Sequence, residues 1–246
     1  MSDPFRHVPE LRGRLIDPER SKARVTADVL AHWDARVIEL GGAPDWRLPD
    51  AEREASRQVT LAAFRDASEF WVFAYGSLMW DPAFYFNEIR RACLSGFKRC
   101  FNYQVMAGRG TPTQPGLVLS LMADASQVCH GLAFRIDKSN VEAESTLLWR
   151  REMLRGGYQP IRAALATPQG NCDALVFVGH PTHPVYNVGL SADETAAVIA
   201  AAEGHLGPNR DYLFMVSDQL SALGLQDPYV ADLHQRVARL VTPQSR

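Results

Sequence analysis

The run FWVFAYGSLMW, residues 70–80, decides how the rest of the chain is read. Its first five residues form an unbroken apolar stretch rich in aromatics and closed by Gly76, which predicts a strand buried on both faces. Upstream the period is different. Val25, Val29, Trp33 and Val37 recur at four-residue steps, predicting a helix that stops at Gly41-Gly42. A second helix is expected after Asp50, with Ala55, Val59, Ala62 and Ala63 on its apolar side. Residues 1–69 therefore read as a helical N-terminal extension, and 70–246 as the main domain. Downstream, strands are expected over 89–94, 97–105, 117–122, 128–136, 161–167 and 174–179, with a hairpin turn at Pro168-Gln169-Gly170-Asn171. One helix interrupts them, opened by a Ser139/Glu142 capping box and stopped by Gly156-Gly157. Three helices are expected at the end: Ser191 with Glu194 to Gly204, Asn209 to Gly224, and one opened by Asp227-Pro228. Many strands, one embedded helix and a helical C-terminus predict an α+β fold.

The 246 residues suit one large domain, or a domain with an appendage. Hydrophobic residues are 46% and charged residues 22%, the balance of an ordinary globular chain. A net charge of −2 supplies no field to recruit nucleic acid or an anionic membrane. The first 70 residues carry 11 basic and 13 acidic side chains, so they are no basic arm. No apolar run approaches the ~18 residues of a spanning helix, and MSDPFRHVPELRGR lacks a signal core. Four cysteines without a CxxC spacing point to reduced thiols, and hence to a cytoplasmic location.

Phosphate-cradling GxxxxGK[ST] and GxGxxG motifs are absent, as is the zinc-binding HExxH. Ser77 sits in YGSL, where a nucleophile elbow would need glycine at Met79. His180 and His183 in HPTHP lack a third ligand and a helix to align them, so a surface loop outweighs a metal site. Two features carry more. Tyr75-Gly76-Ser77-Leu78 follows the buried strand, and its turn either presents successive N–H groups to an anion or simply ends a strand. Glu152 lies in the last turn of the embedded helix, after Leu148 and Trp149. The negative helix end and the apolar border both favour its neutral form. The alternative is a solvated glutamate paired with Arg151 or Arg155.

Five motifs occur in register: VFAYGSLMW (72–80), AGRGTPTQPG (107–116), LLWRREMLRGGY (147–158), HPVY (183–186) and GPNRDYLF (207–214). In order and spacing the chain resembles the ChaC-like γ-glutamylcyclotransferases over about 70–240, in their extended bacterial form. The resemblance implies cleavage of glutathione into 5-oxoproline and Cys-Gly, in a barrel-like mixed α+β domain, without metal or organic cofactor. It places the catalytic acid/base on Glu152. The ligand-holding loop falls on Val72, Phe73, Ala74, Tyr75, Gly76, Ser77 and Leu78. Ala74 departs from the pattern, since many members have glycine before the tyrosine.

That reaction suits the residues. The α-amine of a γ-glutamyl group reaches its own γ-carbonyl, and an oriented intramolecular attack gains effective molarities of ~10⁵ M or more. The amine, with a pKa near ~7.7–8.0, must first lose a proton, and the departing nitrogen must gain one; a single glutamate can do both. Arg109 is either a partner for a substrate carboxylate or a surface arginine. Tyr212 is either a hydrogen-bond donor to the ligand or a packing residue. Trp80 and Trp149 read as core. The expected partner is a small γ-glutamyl peptide, glutathione or a related amine, with neither nucleic acid nor membrane. A non-catalytic binding module would lack the glutamate, and a serine hydrolase at Ser77 would need a His–Asp pair that no motif supplies.

Overall fold

A computed structural model of the chain describes residues 3–39, 41–186 and 189–242. Two helices, α1 (Ala27–Glu39) and α2 (Asp50–Ala62), precede strand β1 (Phe70–Ala74). Two long strands follow, β2 (Glu88–Val105) and β3 (Gly116–Ile136), then helix α3 (Val141–Glu152) and strands β4 (Tyr158–Leu165) and β5 (Cys172–Gly179). After them come α4 (Ala192–Ala201), the short strands β6 (Glu203–Gly204) and β7 (Gly207–Pro208), α5 (Asn209–Ala222) and α6 (Pro228–Val241). The main sheet has the order β2-β3-β1-β5-β4, and β6 pairs with β7. It is mixed: β1 runs antiparallel to β3 and parallel to β5. Cys93 of β2 and Ala166, the residue after β4, form an isolated antiparallel bridge, exchanging hydrogen bonds of 2.9 and 3.0 Å. The α+β expectation holds. No helix is long and apolar enough to cross a membrane among the described residues.

The chain divides into two compact units, residues 1–94 with 131–178, and residues 95–130 with 179–246. In the first, β1 lies in the core with all five residues buried, as its composition requires. Each residue of β1 is matched to one of β3, from Phe70↔Ile136 to Ala74↔Leu132. Ala74 is fully buried, and a Cβ on the facing Gly131 would lie 2.3 Å from its carbonyl oxygen. Glycine is therefore needed at 131, and the extra methyl at 74 is housed.

The N-terminal segment belongs to this first unit and packs on α3 through a polar seam. Arg24 forms a two-pronged pair with buried Glu144, at 2.8 and 3.0 Å. Arg57 donates to Ser145 Oγ at 2.9 Å and pairs with Glu142. Here the expected apolar face of α2 is corrected. Ala55 and Val59 are exposed, Val59 at 75%, while Arg53, Arg57 and Phe64 face inward. The acidic first turn of α3 explains it: carboxylates favoured by the helix dipole offer partners that alanine and valine cannot use. The start of α3 differs too. Asp137 Oδ1 accepts from the Ser139 amide at 3.0 Å and caps a short 3-10 turn, leaving Glu142 free to meet Arg57.

In the second unit, the Ser191/Glu194 capping box and the Asp227 cap both form. Asn209 begins α5, but its fully buried amide instead clamps both backbone groups of Leu117, at 2.7 and 2.8 Å. Arg99 pairs with Asp227 at 2.9 Å. In the 107–116 loop a Cβ on Gly110 would meet the Gly116 nitrogen at 2.2 Å, so close backbone contact dictates that glycine.

Candidate active site

Strand β1 delivers Tyr75 and Gly76 to a single 3-10 turn, Ser77–Met79. The Tyr75 hydroxyl donates to the Phe177 carbonyl at 2.7 Å, fastening the turn to β5. Within it, Met79 N–H bonds to Gly76 O at 2.9 Å, while Trp80 and Asp81 N–H both reach Ser77 O. The N–H groups of Ser77 and Leu78 lie outside these bonds, as the first donors of a helical turn do.

Glu152 is the last residue of α3, and its side chain is 14% exposed. The Arg151 partner of the alternative reading is present, at 3.0 Å, but the carboxyl it meets is largely withdrawn from solvent. Burial pushes its carboxyl above the ordinary carboxylate range; Arg151 opposes the rise and Asp81 adds to it. Arg151 is the residue that links the two halves of the site. Its Nε lies 3.0 Å from Glu152 Oε1, its Nη2 donates to Ser77 Oγ at 2.9 Å, and its Nη1 donates to Asp81 O at 2.6 Å. One guanidinium thus ties the α3 carboxyl to the turn after β1. Ser21 of the N-terminal segment completes the network, donating to Asp81 Oδ1 at 2.6 Å.

Arg151 entered the sequence reading only as a partner of a solvated Glu152, and Asp81 did not enter it. Arg151 did carry a signal, as the immediate neighbour of the glutamate. It reads as a solvent-side partner, because adjacent residues on a helix point apart. Asp81 carried none. Val72, Phe73 and Ala74 are wholly buried in β1, so what they contribute is the placement of the turn. Trp80 and Trp149 are core residues at 8% and 1% exposure, as expected. Ser77 Oγ accepts from arginine, so the serine-hydrolase alternative finds a cation where it needs histidine.

Arg109 and Tyr212 belong to the second unit. Arg109 donates to Pro208 O at 3.2 Å and stands 4.0 Å from Asp211. Tyr212 is buried edge-on against Phe101, with ring centroids 5.9 Å apart. The His180–His183 segment is a turn, closed by His183 N–H on His180 O at 3.0 Å.

Comparison with known proteins places this geometry. A family model described as ChaC-like protein matches residues 70–240. The glutathione-specific γ-glutamylcyclotransferase of Escherichia coli (strain K12) is 40% identical over 219 residues, covering 88% of this chain and 94% of that protein. An alignment of that length extends beyond 70–240 into the N-terminal segment. The Danio rerio glutathione-specific γ-glutamylcyclotransferase 1 is 31% identical over 182 residues, 72% of this chain and 92% of that protein. The fold resembles the crystal structure of the glutathione-specific γ-glutamyl cyclotransferase from yeast, with a TM-score of 0.64 at 21% identity, over 71% of this chain and 100% of that one. The chain therefore belongs to the ChaC-like family.

Proposed function

We propose that this protein is a glutathione-specific γ-glutamylcyclotransferase, releasing 5-oxoproline and Cys-Gly, with Glu152 as its acid/base. The observation that carries the reading is the buried carboxyl of Glu152, tied through Arg151 to the turn after β1 in a chain 40% identical to an enzyme of that name.

The steps follow from the residues. Glu152 takes a proton from the substrate α-amine. The freed lone pair attacks the γ-carbonyl, forming the ring C–N bond. The C–N bond to cysteine then breaks as Glu152 returns the proton to the leaving nitrogen, and the ring nitrogen gives up its second proton through the re-ionised Glu152 to the released amine, leaving the lactam N–H and the ammonium of Cys-Gly. A carboxyl raised above its ordinary range lies closer to the amine pKa of ~7.7–8.0, so taking the proton from the amine is less uphill. The N–H groups of the Gly76–Leu78 turn hold an anionic oxygen of the substrate. Arg151 keeps that turn and Glu152 in a fixed relation. Arg109 and Tyr212 are assigned to substrate binding on the motif resemblance alone. Residues 70–246 form the catalytic domain in this reading and 1–69 an extension; the Cys93–Ala166 bridge supports closure of the sheet into a barrel. All four cysteines are thiols rather than disulfides, which suits a reducing cytoplasm.

A second reading keeps the chemistry with another γ-glutamyl amine or amino acid as substrate. Release of 5-oxoproline from glutathione and from γ-glutamyl-alanine, measured side by side, separates the two. The glutathione-specific assignment predicts release from glutathione at least about tenfold faster in kcat/KM, a difference of ~1.4 kcal/mol in transition-state binding. Faster release from γ-glutamyl-alanine would contradict it.

A further inference from the structure

Helices α1, α2 and α3 line a half-open cavity of about 250 Å³ within the first unit. Leu30, Ala31 and Trp149 provide its apolar wall.

The charged groups on the wall are unevenly satisfied. The carboxylates are matched: Asp34 accepts from Arg47 at 2.8 Å and Trp46 at 2.9 Å, Asp50 from Arg53 at 2.5 Å, and Glu54 from Arg57 at 2.6 Å. The cations are not. The Arg53 side chain is 7% exposed, and its Nη1 is buried with no hydrogen-bond partner. Arg150, also on the wall, makes no ion pair or hydrogen bond with the described residues. A buried donor without a partner costs ~1–3 kcal/mol, more when charged; Arg53 Nη1 is such a donor, and with the half-buried Arg150 guanidinium beside it the cavity holds an incomplete anion site. Burial foremost, with Arg47 and Arg150 as like charges nearby, holds Arg53 below its ordinary pKa against the pull of Asp50.

We propose that this cavity binds a small organic monocarboxylate, gripped by Arg53 Nη1 and Arg150, with its apolar part against Leu30, Ala31 and Trp149. Guanidinium matches the two oxygens of a carboxylate. The three acidic side chains on the same wall disfavour a dianion such as phosphate. The volume is below the ~300–1,000 Å³ of sites for drug-sized ligands, which keeps the ligand small. The site lies between the extension and α3 rather than at Glu152, and it does not depend on the cyclotransferase reading. It does share α3: Trp149 and Arg150 line the cavity, and Arg151 and Glu152 follow directly in sequence.

Calorimetric titration of the full chain with sodium butyrate, with inorganic phosphate as the second probe, tests this. One butyrate is expected to bind per chain with a millimolar or lower Kd. Phosphate at the same concentration should neither bind there nor compete. Arg150→Gln removes no ion pair or hydrogen bond with the described residues, so the fold is expected to be retained, and it should weaken butyrate about tenfold or more, the effect of losing a charged hydrogen bond. Arg53→Gln should do the same. Absence of butyrate binding up to tens of millimolar, equal binding by phosphate, or an Arg150→Gln protein that binds as tightly as the unmodified chain would each overturn the proposal.

Discussion

Glu152 is unusual because a carboxyl so nearly buried has one cationic neighbour, which also holds Ser77 and the Asp81 carbonyl. The protonation of the site follows from the balance between burial, which raises the pKa, and Arg151, which lowers it. If Glu152 must accept a proton, kcat/KM falls as pH falls through its pKa. Because that pKa is raised, the acid limb should lie above the ordinary value of ~4.3. Arg151→Met removes the opposing charge, so the limb should move to still higher pH. A pH profile of 5-oxoproline release checks both, and a limb that stays put in the variant would remove Arg151 from the role given to it. The glutamate was legible from its place at the end of an amphipathic helix before a glycine pair. Arg151 was legible only as the neighbour of Glu152, because its other two contacts, to Ser77 Oγ and the Asp81 carbonyl, are made to groups distant in sequence.

At the scale of elements, the sequence reading located every long element and erred where polar residues did structural work. Strands expected over 89–94 and 97–105 are one strand, because Gly96 takes a left-handed φ of 82° inside it without breaking it. The same holds for β3, whose polar middle at 123–127 stays extended although no apolar alternation marks it. The seam between the N-terminal segment and α3 was illegible for a related reason: hydrophobic periodicity registers alanine and valine, whereas the inward groups are arginines that bury only because acids meet them. Arg24→Met tests that seam. It strands Glu144, whose side chain is 5% exposed, without a counter-ion. The expected loss of unfolding free energy is about 3–5 kcal/mol, measured by denaturant titration, with partial recovery when Glu144→Gln is added. A loss below about 1 kcal/mol would mean that the pair is incidental.

For the whole molecule, the α+β class, the order of helices and strands and the position of the embedded helix were readable from periodicity and caps. The mixed order of the sheet and the partition into two units were not, since they depend on which distant strands pair. The polar network around α3 has a clear consequence: Ser21, Asp81, Ser77, Arg151 and Glu152 come from three separate stretches of chain, and folding makes them one arrangement. The account rests on the last of these moving a proton between two substrate nitrogens. The direct measurement is 5-oxoproline release from glutathione by the Glu152→Gln protein beside the unmodified chain, with folding checked by thermal melting. The amide keeps the shape and cannot take the proton, so release should drop by ~10²–10⁴-fold while the melt remains cooperative. A well-folded variant retaining more than about a tenth of the original rate would contradict the assignment.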